Sequence, residues 1–145
     1  MKFRVSAPLV MIGLVCAPGA RAADPSPRDL HAAQCVAALE VLTESLAEEV
    51  KAGNEASRAL LMERLVSGTA FVGDSYLHGL TDQQQARALA DQALEAQKRL
   101  TPQELAARQT ACADEGTKIY TQSNGLQQAV VTRFAKRRMA KLLGG

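Results

Sequence analysis

The sequence predicts an all-α protein, a compact bundle of four to five helices closed by one interhelical disulfide. Three observations carry this. After Pro27 the chain has one further proline, Pro102, and is rich in Ala, Leu, Gln, Glu and Arg, the residues that helices tolerate best. Apolar residues recur at helical spacing between clear capping signals. Two cysteines, Cys35 and Cys112, fall on apolar stripes of different segments.

The leader comes first. Lys2 and Arg4 make a positive start, Val5 to Val15 an apolar run and Ala20-Arg21-Ala22 a small-residue cleavage pattern, so residues 1–22 read as a signal peptide. Cleavage after Ala22 leaves a helical domain of residues 23–145, expected in the periplasm. The apolar run of about a dozen residues falls short of the roughly 20 that cross a bilayer, and no other segment resembles a transmembrane span. Cys16 raises a lipidated alternative, but Gly13-Leu14-Val15 sets a bulky Val where a small residue is wanted.

The first helix is expected from Ser26, its N-cap, through Pro27 and Asp29 to Ala52 before Gly53, with Cys35, Leu39, Leu42, Leu46 and Val50 along one face. The second spans Asn54 to His78 and ends at Gly79, with Leu61, Leu65, Val72 and Tyr76 on its buried side. Gly68 and Gly73 weaken it by about 1 kcal/mol each and allow a kink near Gly73-Asp74. Thr81-Asp82-Gln83-Gln84 and Thr101-Pro102-Gln103-Glu104 both match a capping box and open the third and fourth helices. The fourth carries Leu105, Cys112, Gly116 and Ile119 on one stripe. Asn124-Gly125 reads as a turn, or a left-handed cap, before a fifth helix from Leu126 to Leu143.

Removal of the leader takes Lys2, Arg4 and Arg21 with it, so the 17 basic and 15 acidic residues of the whole chain become 14 and 15. A nearly neutral mature chain without Trp offers neither a positive field nor a stacking platform for nucleic acid. Cleavage also leaves an even pair, Cys35 and Cys112, in an oxidising compartment, where pairing is the default. The charges are segregated. Glu40, Glu44 and Glu48 form a stripe on the first helix with Glu49 beside it, and Arg133, Arg137 and Lys141 form one on the fifth with Lys136 and Arg138 alongside. One reading lays these helices side by side with the stripes paired. The other leaves Arg133, Lys136, Arg137 and Lys141 as an interaction face for an acidic surface.

No catalytic, cofactor-binding or metal-ligating set is predicted. Asp74, Ser75, Tyr76 and His78 sit together in "FVGDSYLHGL", yet no nucleophile elbow accompanies them, and His78 ahead of Gly79 is a candidate pH sensor. His31 and Cys35 share a helix face, but only His78 and Cys112 would complete a metal set, and a disulfide consumes the thiolates. Patterns for zinc peptidases, phosphate loops, dinucleotide folds and calcium loops are absent.

"LTPQELAARQTAC" leads into the second cysteine and "VVTRFAKRRMAKLL" supplies a basic last helix. With a single disulfide in an exported helical chain, this resembles the small periplasmic acid-stress chaperones of the HdeA type and the immunity proteins that neutralise type VI secretion amidases. For the latter, "FVGDSYLHGL" is similar to an aromatic-then-glycine helix segment. The cysteines are farther apart than in the chaperones, and the first immunity-family cysteine is missing, so no functional residue is carried over. The resemblance implies action by protein binding rather than catalysis, as an inhibitor or immunity protein, with a stress chaperone or an envelope-associated structural protein as the alternatives.

Overall fold

The computed structural model describes residues 24–145; the leader, its cleavage pattern and Cys16 lie outside them. Five helices follow in order: α1 Pro27–Lys51, α2 Ser57–Leu77, α3 Gln83–Gln97, α4 Pro102–Gln122 and α5 Gly125–Leu143. No strand occurs among the described residues. The chain is an all-α bundle with one interhelical disulfide, Cys35 to Cys112, their Cα atoms 5.1 Å apart.

The ends of α1 and α4 form as their sequences dictate. The Ser26 hydroxyl accepts the Asp29 amide at 3.1 Å while the Asp29 carboxylate accepts the Ser26 amide at 3.0 Å. Thr101 and Glu104 repeat this reciprocal cap, and both helices carry Pro at the first position. Gly53 and Gly79, with φ of +99° and +106°, turn the chain after α1 and α2 in a conformation that side chains disfavour.

Other boundaries depart from expectation. α2 begins at Ser57, because residues 54–56 form a turn in which the Asn54 side chain donates to the Ser57 hydroxyl. It then runs unbroken through Gly68 and Gly73 to Leu77, since packing along its length outweighs the glycine penalty. At α3 the cap is Asp82 rather than Thr81. The Thr81 amide is bonded to the Gly79 carbonyl within the turn, and the Asp82 carboxylate accepts the Gln85 amide at 2.8 Å. Asn124 is neither a turn residue nor a left-handed cap. Its side chain accepts the Gln127 amide, making it the N-cap of α5, with Gly125 as the first helical residue.

α1 is the centre of the bundle and packs on each of the other four helices. Its N-terminal half joins Phe71 of α2 and Cys112 and Ala113 of α4 around the disulfide. Its C-terminal part, with Leu46, Ala47 and Val50, meets Leu61 and Leu65 of α2 and Ala135 of α5 in a second cluster. α4 crosses α2 closely at Gly116, where a Cβ would fall 2.5 Å from the Ser67 carbonyl oxygen. On the α4 stripe, Cys112 and Gly116 are buried as expected, but Leu105 and Ile119 are only half-buried. No helix among the described residues is long and apolar enough to cross a membrane.

Candidate functional site

α5 runs antiparallel to α2: Val131 stands beside Gly73, and Ala135, one turn on, clusters with Leu61 and Leu65. α5 approaches α1 only along its C-terminal half. Toward its N-terminus the two diverge, and the space left over α2 is an apolar groove of about 610 Å³. Leu39 and Gly68 lie on its floor, Val36 and Thr43 on the α1 wall, and Val131 on the α5 wall. The mouth is formed by large apolar side chains that remain open to solvent: Val72 (55%), Tyr76 (62%), Val130 (47%) and Phe134 (54%).

This corrects the expectation for α2. Leu61 and Leu65 are buried, but Val72 and Tyr76 are exposed because nothing packs over the second half of that face. Periodicity marks an apolar stripe without saying whether a neighbour covers it. A signal was present in α5, where Leu126, Val130 and Phe134 make an i, i+4, i+8 apolar line distinct from the Val131–Ala135 line that packs inward.

The interaction-face residues Arg133, Lys136, Arg137 and Lys141 are all exposed on α5, beside that line. Among the described residues none of the four has an ion-pair partner, and the Arg137 guanidinium lies over the Phe134 ring at 6.0 Å from its centre. The expected pairing of two charge stripes is therefore confined to one contact, Arg138 with Glu40, at the closed end of the groove. Glu48 pairs instead with Lys51 of its own helix, and Glu49 accepts the Ser57 hydroxyl at the start of α2. Helical geometry is the reason: Arg138 points toward α1, whereas 133, 137 and 141 lie about a quarter-turn away.

The other chemical candidates disperse. The Asp74 carboxylate accepts from Arg28 of α1, and the His78 Nδ1–H donates to the Asp74 carbonyl at 2.7 Å. Ser75, between them in sequence, is buried. His31 Nε2 lies 2.8 Å from Glu115 Oε2 and 3.8 Å from Cys35 Sγ. Glu115, rather than His78, is thus the group that joins His31 and Cys35 within 4.8 Å, and the disulfide withholds the sulfur from any cation there. Elsewhere on the bundle two carboxyls are held below the ordinary range: Glu55, hydrogen-bonded by Arg58, and Glu104, hydrogen-bonded by the amide and hydroxyl of Thr101.

No family model, characterised protein or solved structure matches this chain.

Proposed function

We propose that residues 1–22 are a signal peptide, that the mature chain works in the periplasm, and that it acts by binding another protein, as an inhibitor or immunity protein does. The observation that supports this is an open apolar groove between α1, α2 and α5 beside a row of α5 cations that have no ion-pair partner among the described residues. An exposed apolar patch rimmed by polar groups is a common form of protein-interaction site. The cations add attraction for an acidic surface and speed the encounter. Affinity capture of oxidised mature protein from periplasmic extract at neutral pH tests the reading. One stoichiometric protein partner is expected, released by salt and lost in Arg137→Glu. Retention unchanged in that variant contradicts it.

A second reading is an acid-stress chaperone, favoured by the ties that hold α1 to its neighbours. Asp74 with Arg28, Glu115 with His31 and Glu40 with Arg138 are those ties, each a carboxyl side chain meeting a basic one across two helices. Many weak clients appearing only at low pH, together with loss of near-UV circular dichroism, would select this reading over a dedicated inhibitor.

A further inference from the structure

The groove has a feature that packing does not require. Gly68 and Gly73, five residues apart on α2, both line it. A Cβ at Gly68 would meet Leu39 at 3.8 Å and one at Gly73 would meet Val131 at 3.8 Å, both ordinary van der Waals separations. Neither glycine has positive φ. Alanine would fit at both places and would strengthen the helix. This is the opposite of Gly116, where a Cβ collides with backbone. What the two glycines do provide is depth: without Cβ atoms, the α2 floor lies open to whatever enters between α1 and α5.

From the protein-binding reading above, on which this step rests, we infer that the groove receives an amphipathic α-helix of the partner, with acidic residues along the flank that faces α5. The dimensions suit it, because the groove follows α2 from Arg64 to Tyr76, about 18 Å or roughly three helical turns. Laying an apolar helix face into such a groove is a recurrent mode of recognition, with anchors one turn apart. Val72 and Tyr76 on α2 and Val130 and Phe134 on α5 stand at that spacing. The charges decide the occupant. Arg133, Arg137 and Lys141 do not line the groove; they run at i, i+4 and i+8 along the outer flank of α5 next to its rim, where the Arg137 guanidinium lies over the Phe134 ring. A row of cations matches a row of carboxylates on a helix; an acyl chain carries its charge at one end only. Of the cations at the closed end, Arg138 is already taken by Glu40 and Arg64 by Glu63.

The test uses oxidised mature protein and a fluorescently labelled synthetic helix of about 18 residues, with Leu along one face and Glu along the flank. A second peptide replaces each Glu by Lys. Fluorescence anisotropy should show the Glu peptide binding about tenfold or more tightly than the Lys peptide, with the difference shrinking as salt rises. Val72→Glu and Phe134→Glu alter exposed positions and should each weaken binding about tenfold while leaving the thermal midpoint near that of the unaltered protein. Gly68→Ala and Gly73→Ala should raise the midpoint and weaken binding, a combination that a merely structural glycine does not give. Equal binding of the two peptides, or binding unchanged by Phe134→Glu, overturns the inference. So does sedimentation showing a dimer that Val72→Glu disperses, or a labelled fatty acid bound at the groove where neither peptide binds. Affinity capture separates this from the underlying reading: a protein partner retained equally by the Phe134→Glu variant removes the groove alone, whereas no protein partner removes both.

Discussion

Gly116, Gly68 and Gly73 all lie inside helices, yet they answer to different demands. At Gly116 the backbone of α2 passes so close that alanine would press on the Ser67 carbonyl and Cβ, and neither helix can retreat without disturbing the disulfide cluster beside it. Gly116→Ala should therefore lower the unfolding free energy by about 1–3 kcal/mol in urea denaturation. Gly68→Ala and Gly73→Ala should raise it by up to about 1 kcal/mol each. The opposite signs are the point, since helix propensity alone would make all three changes stabilising. The sequence shows three helix-weakening glycines, but which one is pinned by a neighbour is a matter of interhelical distance.

At the scale of the element, helix starts were legible where side chain and backbone satisfy one another locally. Ser26 with Asp29 and Thr101 with Glu104 need no tertiary information to form their caps. Thr101→Ala removes one such cap and should cost about 1 kcal/mol of stability by thermal or chemical unfolding. Glu104 reports on the same cap. Its carboxyl is held below the ordinary range in the folded chain, so the stability it confers is complete above its unfolded pKa and is lost as pH falls through the folded one. A carboxyl titration followed by NMR should place Glu104 below the ordinary value in the unaltered protein and return it toward that value in Thr101→Ala. The starts of α2, α3 and α5 were misplaced for separate reasons: residues 54–56 form a turn ahead of Ser57, Thr81 is bonded into the turn after α2 so that Asp82 takes the cap, and Asn124 caps α5 with Gly125 as its first helical residue. For α5 the residue type pointed to a cap at the wrong end of a helix, because Asn serves at both ends.

For the whole molecule, the disulfide and the groove mark the two limits of what a sequence discloses. The pairing of Cys35 with Cys112 followed from counting cysteines on apolar stripes, and α1 and α4 lie side by side as it requires. The bond closes a separation of 77 residues. Reduction should accordingly lower the unfolding free energy by roughly 4 kcal/mol, read from denaturation curves with and without reductant, and Cys35→Ala/Cys112→Ala should match the reduced protein. The groove, by contrast, is not legible in the sequence, where its α2 side reads as core. Val72 and Tyr76 keep the spacing of buried residues, and only the divergence of α5 from α1 leaves them open. That divergence depends on where α5 docks, at Gly73 and along the Leu61–Leu65 turn of α2, and no local pattern encodes it. The basic row on α5 was visible as a stripe, but its freedom from the acidic stripe of α1 was settled by the quarter-turn between Arg138 and its neighbours. We propose that the open groove and the cations beside it bind a protein partner. Quantitative capture from periplasmic extract at neutral pH, with the unaltered protein and Phe134→Glu side by side, tests it most directly. One partner at a stoichiometric level, missing from the variant, is the predicted result; no partner, or equal recovery by both proteins, would contradict it.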